Sequence, residues 1–181
     1  TLLKKILSYS KADECIVNII GEQRGNIRYA RNEVSTAGGL TNKNIAVTSA
    51  FGNKVGSATI DEFDDASLEK VVKRAEELAK LAPENPEYEG LVDPQTYMKA
   101  NGYFESTASI NPDKRATKVA QSLELCRNEK LVGAGFLEDQ HGYTAIMNSK
   151  GMFAYYASTN VNFSLTVRTE DGKGSGYVAK G

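Results

Sequence analysis

Residues 28–52 read RYARNEVSTAGGLTNKNIAVTSAFG, and the segment after the double glycine at 38–39 decides which folds are open to the chain. A phosphate-cradling loop needs a spaced glycine, then Gly-Lys-Ser/Thr, leading into a helix whose free N–H groups face the anion. Here the next segment, NIAVTSAF (44–51), sets Ile45, Val47 and Phe51 on one side by alternation, which is the period of a strand. The GKGSG stretch at 172–176 fails the same test, because it runs into SGYVA rather than a helix. The double glycine therefore reads as a flexible connection between strands, where glycine reaches positive φ angles without strain.

The same grammar runs through the whole chain. ECIVNII (14–20) is an apolar, β-branched run, EQRGN (22–26) reads as a turn around Gly25, and IRYARN (27–32) alternates as a second strand. GNK (52–54) reverses the chain into VGSATI (55–60). Further on, KLVGAGFLE (130–138), YTAIMN (143–148), MFAYYAS (152–158) and NVNFSLTVR (160–168) read as strands, and TEDGKG turns the last of them into SGYVA.

Three helices interrupt them. Leu2, Leu3, Ile6 and Leu7 predict a short opening helix. Leu68, Val71, Val72, Ala75, Leu78, Ala79 and Ala82 form a stripe at offsets of three and four, with Asp64 or Asp65 as its cap. Glu69–Lys73 and Glu76–Lys80 are read as pairs on its wet face, and Pro83 and Pro86 stop it. The third helix starts at an Asn111 cap with Pro112 in the first turn, and its stripe is Ala116, Val119, Ala120, Leu123 and Cys126.

The predicted fold class is α+β: two units, each a helix packed on a largely antiparallel sheet, at 1–85 and 111–181 with a connector at 86–110. TNKNIAVTSAFGNKVGSATI (41–60) lies over TNVNFSLTVRTEDGKGSGYVA (159–179), sharing Thr-Asn-x-Asn. An internal duplication would make 111–181 repeat the helix-then-strands order of 1–60. The chain starts without Met and stops as a strand begins to form, so a fragment of a longer protein is expected.

Chemistry is sparse. A formal net charge of -1 on 181 residues gives no basic field for nucleic acid or anionic lipid, and no run approaches the ~18 apolar residues of a membrane span. Cys15 and Cys126 read as buried free thiols, which fits a reducing cytoplasm. Asp61, Glu62, Asp64 and Asp65 precede a helix and suit its positive end without a cation; an EF-hand would want glycine where Ala66 stands. His141, the only histidine, reads as a solvated turn residue, and one His cannot build a zinc site alone. Ser175 lacks the Gly-x-Ser-x-Gly elbow. Tyr143, Tyr155, Tyr156 and Tyr177 fall in strands, where core and cross-strand packing accounts for them. No catalytic residue is assigned.

RYARNEVSTAG, the glycine-ended hairpin VTSAFGNKVGSATI and the helix DDASLEKVVKRAEELA, in that order, resemble the N-terminal part of the TldD/PmbA family, and the second half resembles its middle region. The resemblance implies a cytoplasmic protein linked to proteolysis of peptides and small unfolded proteins, working as a homodimer or as a heterodimer with a paralogous subunit. It also implies an older tie to DNA gyrase modulation. In metallopeptidase members a His-Glu-x-x-x-His motif lies in the C-terminal half; the motif does not occur here, so no metal ligand is carried over. The resemblance leaves open a zinc enzyme or a metal-free partner. With peptides as substrate, strand addition at the edge of RYARNEV (28–34) is the expected mode of recognition, with Arg28, Ala30 and Arg31 as the peptide-binding residues.

Overall fold

The computed structural model describes residues 1–181. In chain order its elements are α1 (Leu2–Ser8), β1 (Glu14–Ala30), β2 (Glu33–Phe51), β3 (Lys54–Ile60), α2 (Asp65–Leu81), α3 (Glu105–Ala108), α4 (Pro112–Asn128), β4 (Leu131–Asn148), β5 (Phe153–Thr169) and β6 (Ser175–Lys180). The class is α+β, with one six-stranded antiparallel sheet in the order β3-β2-β1-β4-β5-β6. The series α1-β1-β2-β3 recurs as α4-β4-β5-β6, and each run of three strands steps outward from the β1–β4 pair. The predicted repeat of a helix followed by strands is therefore present.

The strands are longer than expected. Residues 14–20 and 27–30 belong to one strand of 17 residues, with 31–32 outside it, and the double glycine lies inside a strand of 19. Residues 131–138 and 143–148 likewise merge, as do 153–158 and 160–168. Several glycines inside the strands are places of close approach. A Cβ on Gly135 would run into the Ser164 carbonyl oxygen and lie 2.8 Å from the Tyr29 ring, so only hydrogen fits there. The reversal between β1 and β2 is made instead by Arg31 (φ 53°) and Asn32 (φ 61°), two consecutive left-handed residues as a type I′ turn requires. Asn32 pins that turn: its side chain donates to Leu131 O at 2.8 Å and accepts from Gly133 N at 2.6 Å.

The chain forms two compact units that are interleaved in sequence rather than consecutive. The first comprises 1–21, 42–100 and 143–156; the second comprises 22–41, 101–142 and 157–181.

In the first unit, α1 and α2 bury Leu3, Ile6, Leu68, Val71 and Val72 with Val17, Ile19, Ile45 and Val47 of the strands. Asp64 is the cap of α2, accepting from Ser67 N at 3.0 Å. The Glu69–Lys73 pair forms at 2.7 Å, but Glu76 does not meet Lys80. Glu76 is buried, where it accepts from Lys11 N at 2.6 Å and Ser10 Oγ at 3.1 Å, while Lys80 lies over the Phe51 ring. It turns inward because the chain after α1 presents donors that a solvated face lacks.

The segment after α2 is held to this unit by Glu14. Its carboxylate accepts from Tyr88 Oη at 2.7 Å and Leu91 N at 3.1 Å, and pairs with Lys150 at 2.9 Å. The Lys150 bond, then the Tyr88 bond, hold the Glu14 carboxyl below its ordinary value of 4.5, with burial opposing. A depressed native value means the tether contributes fully above the ordinary carboxylate range and is lost as pH falls through the native value. Acidification, or Glu14→Gln at neutral pH, is expected to raise amide exchange at residues 85–92 while leaving α2 protected. Unchanged exchange in the variant would show that Glu14 does not hold the segment.

In the second unit, α4 packs Val119 and Leu123 on Ile27, Tyr29 and Leu137, with Phe163 and Leu165 beside them. The Tyr29 hydroxyl donates to Ser164 O at 2.7 Å, and burial pushes its pKa up to about 12. Asn111 caps α4 by accepting from Lys114 N at 2.8 Å, as predicted. The buried stripe, however, is Arg115, Val119, Leu123 and Cys126, with Ala116 and Ala120 exposed.

Candidate functional site

Arg115 sits on the apolar stripe of α4 because β4 supplies a counter-charge beneath it. Its guanidinium donates to Asp139 at 2.7 Å, and the two side chains are only 9% and 6% exposed. Gly25 of β1 makes room for that planar group: a Cβ there would overlap the guanidinium. A glycine read as a turn residue is thus the platform for a buried charge. Beside this pair lies a cavity of about 710 Å³, entirely within the second unit. Gly25 and Ile27 of β1, the 37–41 segment of β2, the first turn of α4, and Asp139 and His141 of β4 line it.

The wall from β2 combines the bare main chain of Gly38 and Gly39 with Val34, Ala37, Leu40 and Thr41. A Cβ on Gly38 would meet nothing within 4 Å. The arrangement offers backbone groups, a buried ion pair and small apolar surfaces, which is the make-up of a binding cavity. It does not offer a nucleophile held by a base.

The sequence-predicted site residues do not gather here. Arg28 lies over the Phe136 ring at 5.2 Å, Ala30 is the last residue of β1, and Arg31 is the first residue of the turn. The expected edge strand at 28–34 is not one strand: 28–30 end β1, which lies between β2 and β4, 31–32 form the turn, and 33–34 begin β2. His141 is not in a turn; it is a half-buried residue of β4. Tyr155, Tyr156 and Tyr177 are exposed rather than packed in a core, although Tyr143 and Tyr155 do stack, with centroids 6.1 Å apart.

The donor set does not fit zinc. No three His, Cys, Asp or Glu side chains come together, and Cys15 and Cys126 are buried free thiols in different units. Burial raises the Cys15 thiol above its ordinary value, away from the thiolate a metal needs. Asp64 is occupied as a helix cap and Glu62 accepts from Ser67 Oγ at 2.8 Å. What the sequence reading missed is the Arg115–Asp139 pair. Its one available signal was an arginine four residues before Val119 and eight before Leu123, in register with the stripe.

Residues 19–79 match the sequence model of PmbA/TldA metallopeptidase domain 1, and residues 99–181 match that of the PmbA/TldA metallopeptidase central domain. The chain belongs to the PmbA/TldA (TldD/PmbA) family. The fold is similar to that of TldE from Thermococcus kodakarensis, with a TM-score of 0.85 at 16% identity over 99% of this chain. It is also similar to two proteins described as candidate modulators of DNA gyrase. The one from Thermotoga maritima has a TM-score of 0.82 at 12% identity over 98% of this chain. The one from Bacteroides thetaiotaomicron has a TM-score of 0.79 at 17% identity, also over 98%. The chain spans 42%, 42% and 43% of the length of these three solved relatives. No curated protein matches its sequence. Within the PmbA/TldA pattern the chain thus carries the first and central domains, in order. No helix is long and apolar enough to cross a membrane.

Proposed function

We propose that this chain is the non-metal region of a TldD/PmbA-type metallopeptidase acting on peptides and small unfolded proteins in the cytoplasm. In this reading it contributes a wall of the substrate chamber and part of a dimer interface. The observation that supports it is the ordered match of residues 19–79 and 99–181 to two consecutive metallopeptidase domains. The cavity beside Arg115 is the part of the chain assigned to the chamber. Its volume suits a short peptide stretch, and the main chain bared at Gly38 and Gly39 favours recognition that tolerates many side chains. The second reading, a metal-free regulatory subunit without proteolysis of its own, draws on the fold likeness to TldE.

The test is made on the full-length protein. Under the first reading, purified protein cleaves unstructured peptides, binds about one zinc per chain, and loses activity on chelation. Cleavage that needs an added paralogous subunit, with no zinc on this chain, selects the second reading. Absence of cleavage under both conditions overturns the peptidase assignment.

A further inference from the structure

The two series of strands can be laid over one another residue by residue. The shared Thr-Asn-x-Asn, at 41–44 and 159–162, sets Ile45 against Phe163, Val47 against Leu165 and Ser49 against Val167. In the first series these residues pair with Ile60, Ala58 and Gly56 of β3; in the second they pair with Lys180, Val178 and Gly176 of β6. Opposite residues of an antiparallel pair lie on one face of the sheet. Gly176 therefore holds on β6 the place that Gly56 holds on β3, and Val178 stands on the face where Phe163 and Leu165 meet α4.

What differs is the cover. α2 crosses Gly56 so closely that only hydrogen fits, and Ile45 and Val47 beneath are fully buried. Phe163 and Leu165 are only half-buried, every residue of β6 is exposed, and a Cβ on Gly176 would touch only Val167 Cγ2 at 3.5 Å. Along the flank of α4 this open face deepens into a groove of about 780 Å³, lined by Leu125, Leu137, Val161 and Phe163. Its charges are unmatched as well. In the first unit Lys5 of α1 pairs with Asp65, in the first turn of α2, at 2.5 Å. Lys114 and Lys118 of α4 line the groove and bond only neutral groups, on Ser109 and Gln121.

We propose that the face formed by α4, β5 and β6 is the seat of an amphipathic helix, supplied by the polypeptide that follows β6 in the full-length protein and crossing Gly176 as α2 crosses Gly56. The order of the first series names that segment, since α2 comes directly after β3. The seat dictates the chemistry of its occupant. Small residues meet Gly176, as Ala75 and Ala79 meet Gly56, large apolar ones cover Leu165 and Val178, and acidic ones face Lys114 and Lys118. The proposal rests on the reading above only in taking this chain as one region of a longer protein, and the chain spans 42% of TldE.

The experiment is thiol labelling of the full-length protein. Val178 and Tyr177 are neighbours on β6, 51% and 71% exposed, and point to opposite faces. Labelling of the Val178→Cys protein is expected to be slower than that of the Tyr177→Cys protein by about tenfold or more, because the covered thiol reacts only when the helix opens. The rate is expected to be independent of protein concentration. The native thiols are buried and do not compete. Gly176→Val supplies a second measurement. Within residues 1–181 the new side chain has room, and valine suits a strand, so a fall of several degrees in the thermal midpoint reports a helix pressed against it. Equal labelling at the two positions overturns the proposal, as does a Gly176→Val protein no less stable than the parent. Protection of Val178→Cys that fades on dilution also overturns it, since a second copy would then be the cover. Cleavage is not among the readouts, so an open seat leaves the peptidase reading standing, and an inactive protein leaves the seat standing.

Discussion

Asp139→Ala is expected to destabilise the protein by about 3–5 kcal/mol, enough to leave the second unit largely unfolded at 37 °C if its stability is ordinary. The reason is asymmetry. Arg115 is 8% exposed and has Asp139 as its counter-charge, so removing the carboxylate leaves a guanidinium buried above Gly25 with nothing to balance it. The pair itself need not be net stabilising, because taking two charges from water costs about what their attraction returns. Replacing both, as Arg115→Met with Asp139→Leu, should therefore recover most of the loss, since α4 then presents a continuous apolar stripe to β4. Urea unfolding monitored by circular dichroism measures both; the chain has no tryptophan to serve as a probe. A single variant within about 0.5 kcal/mol of the parent would mean that water reaches the pair. A double variant worse than the single would mean that Arg115 has a second role at the cavity.

Gly56→Ala is the other large effect. Gly56 is a buried residue of β3, and α2 crosses it so closely that a Cβ would overlap Ala79 N and lie 2.6 Å from Ala75 O. These are helix main-chain atoms, which cannot rotate away as a side chain can. The helix must lift, opening the interface that buries Leu68, Val71, Val72 and Ala75. Overpacking of this kind costs about 3 kcal/mol or slightly more, against the few tenths that alanine usually gains over glycine in a strand. Gly38→Ala, with open space around it, is the matched control and should be near neutral. Equal effects at the two positions would remove the close approach of α2 as the cause.

Gly56 and Gly25 also show where the sequence was readable and where it was not. The strand at 160–168, the stripe of α2, the caps at Asp64 and Asn111 and the hairpin at 52–53 emerge as read, because each depends on neighbours in the chain. Gly25 was misread as a turn residue because the group that demands it, the Arg115 guanidinium, is far away in the chain. A glycine permits a turn and permits a close approach equally well, and a local pattern cannot separate the two. The turn at Arg31–Asn32 was hidden for the converse reason. Neither residue is glycine, and the left-handed pair is sustained by bonds from Asn32 to Leu131 and Gly133, about a hundred residues on. The cavity was missed through these errors, since its floor is a supposed turn and its wall a supposed loop. In α4, Val119, Leu123 and Cys126 are buried as read, while Ala116 and Ala120, small enough to lie on either face, are exposed and Arg115 takes a place in the stripe.

The interleaving of the two units bears on synthesis. The first unit needs residues up to 156, and the second needs residues up to 181. A ribosome that has released residues 1–110 has delivered α1, β1, β2, β3, α2 and α3, yet neither unit has its full set of strands. The nascent chain must wait with the inner flank of β1 unpaired until β4 emerges, and the two units then become complete within some 25 residues of each other. Cutting the gene at the connector would isolate neither unit. A chaperone that shields a strand flank would find its longest task here in the stretch of translation between α2 and β4.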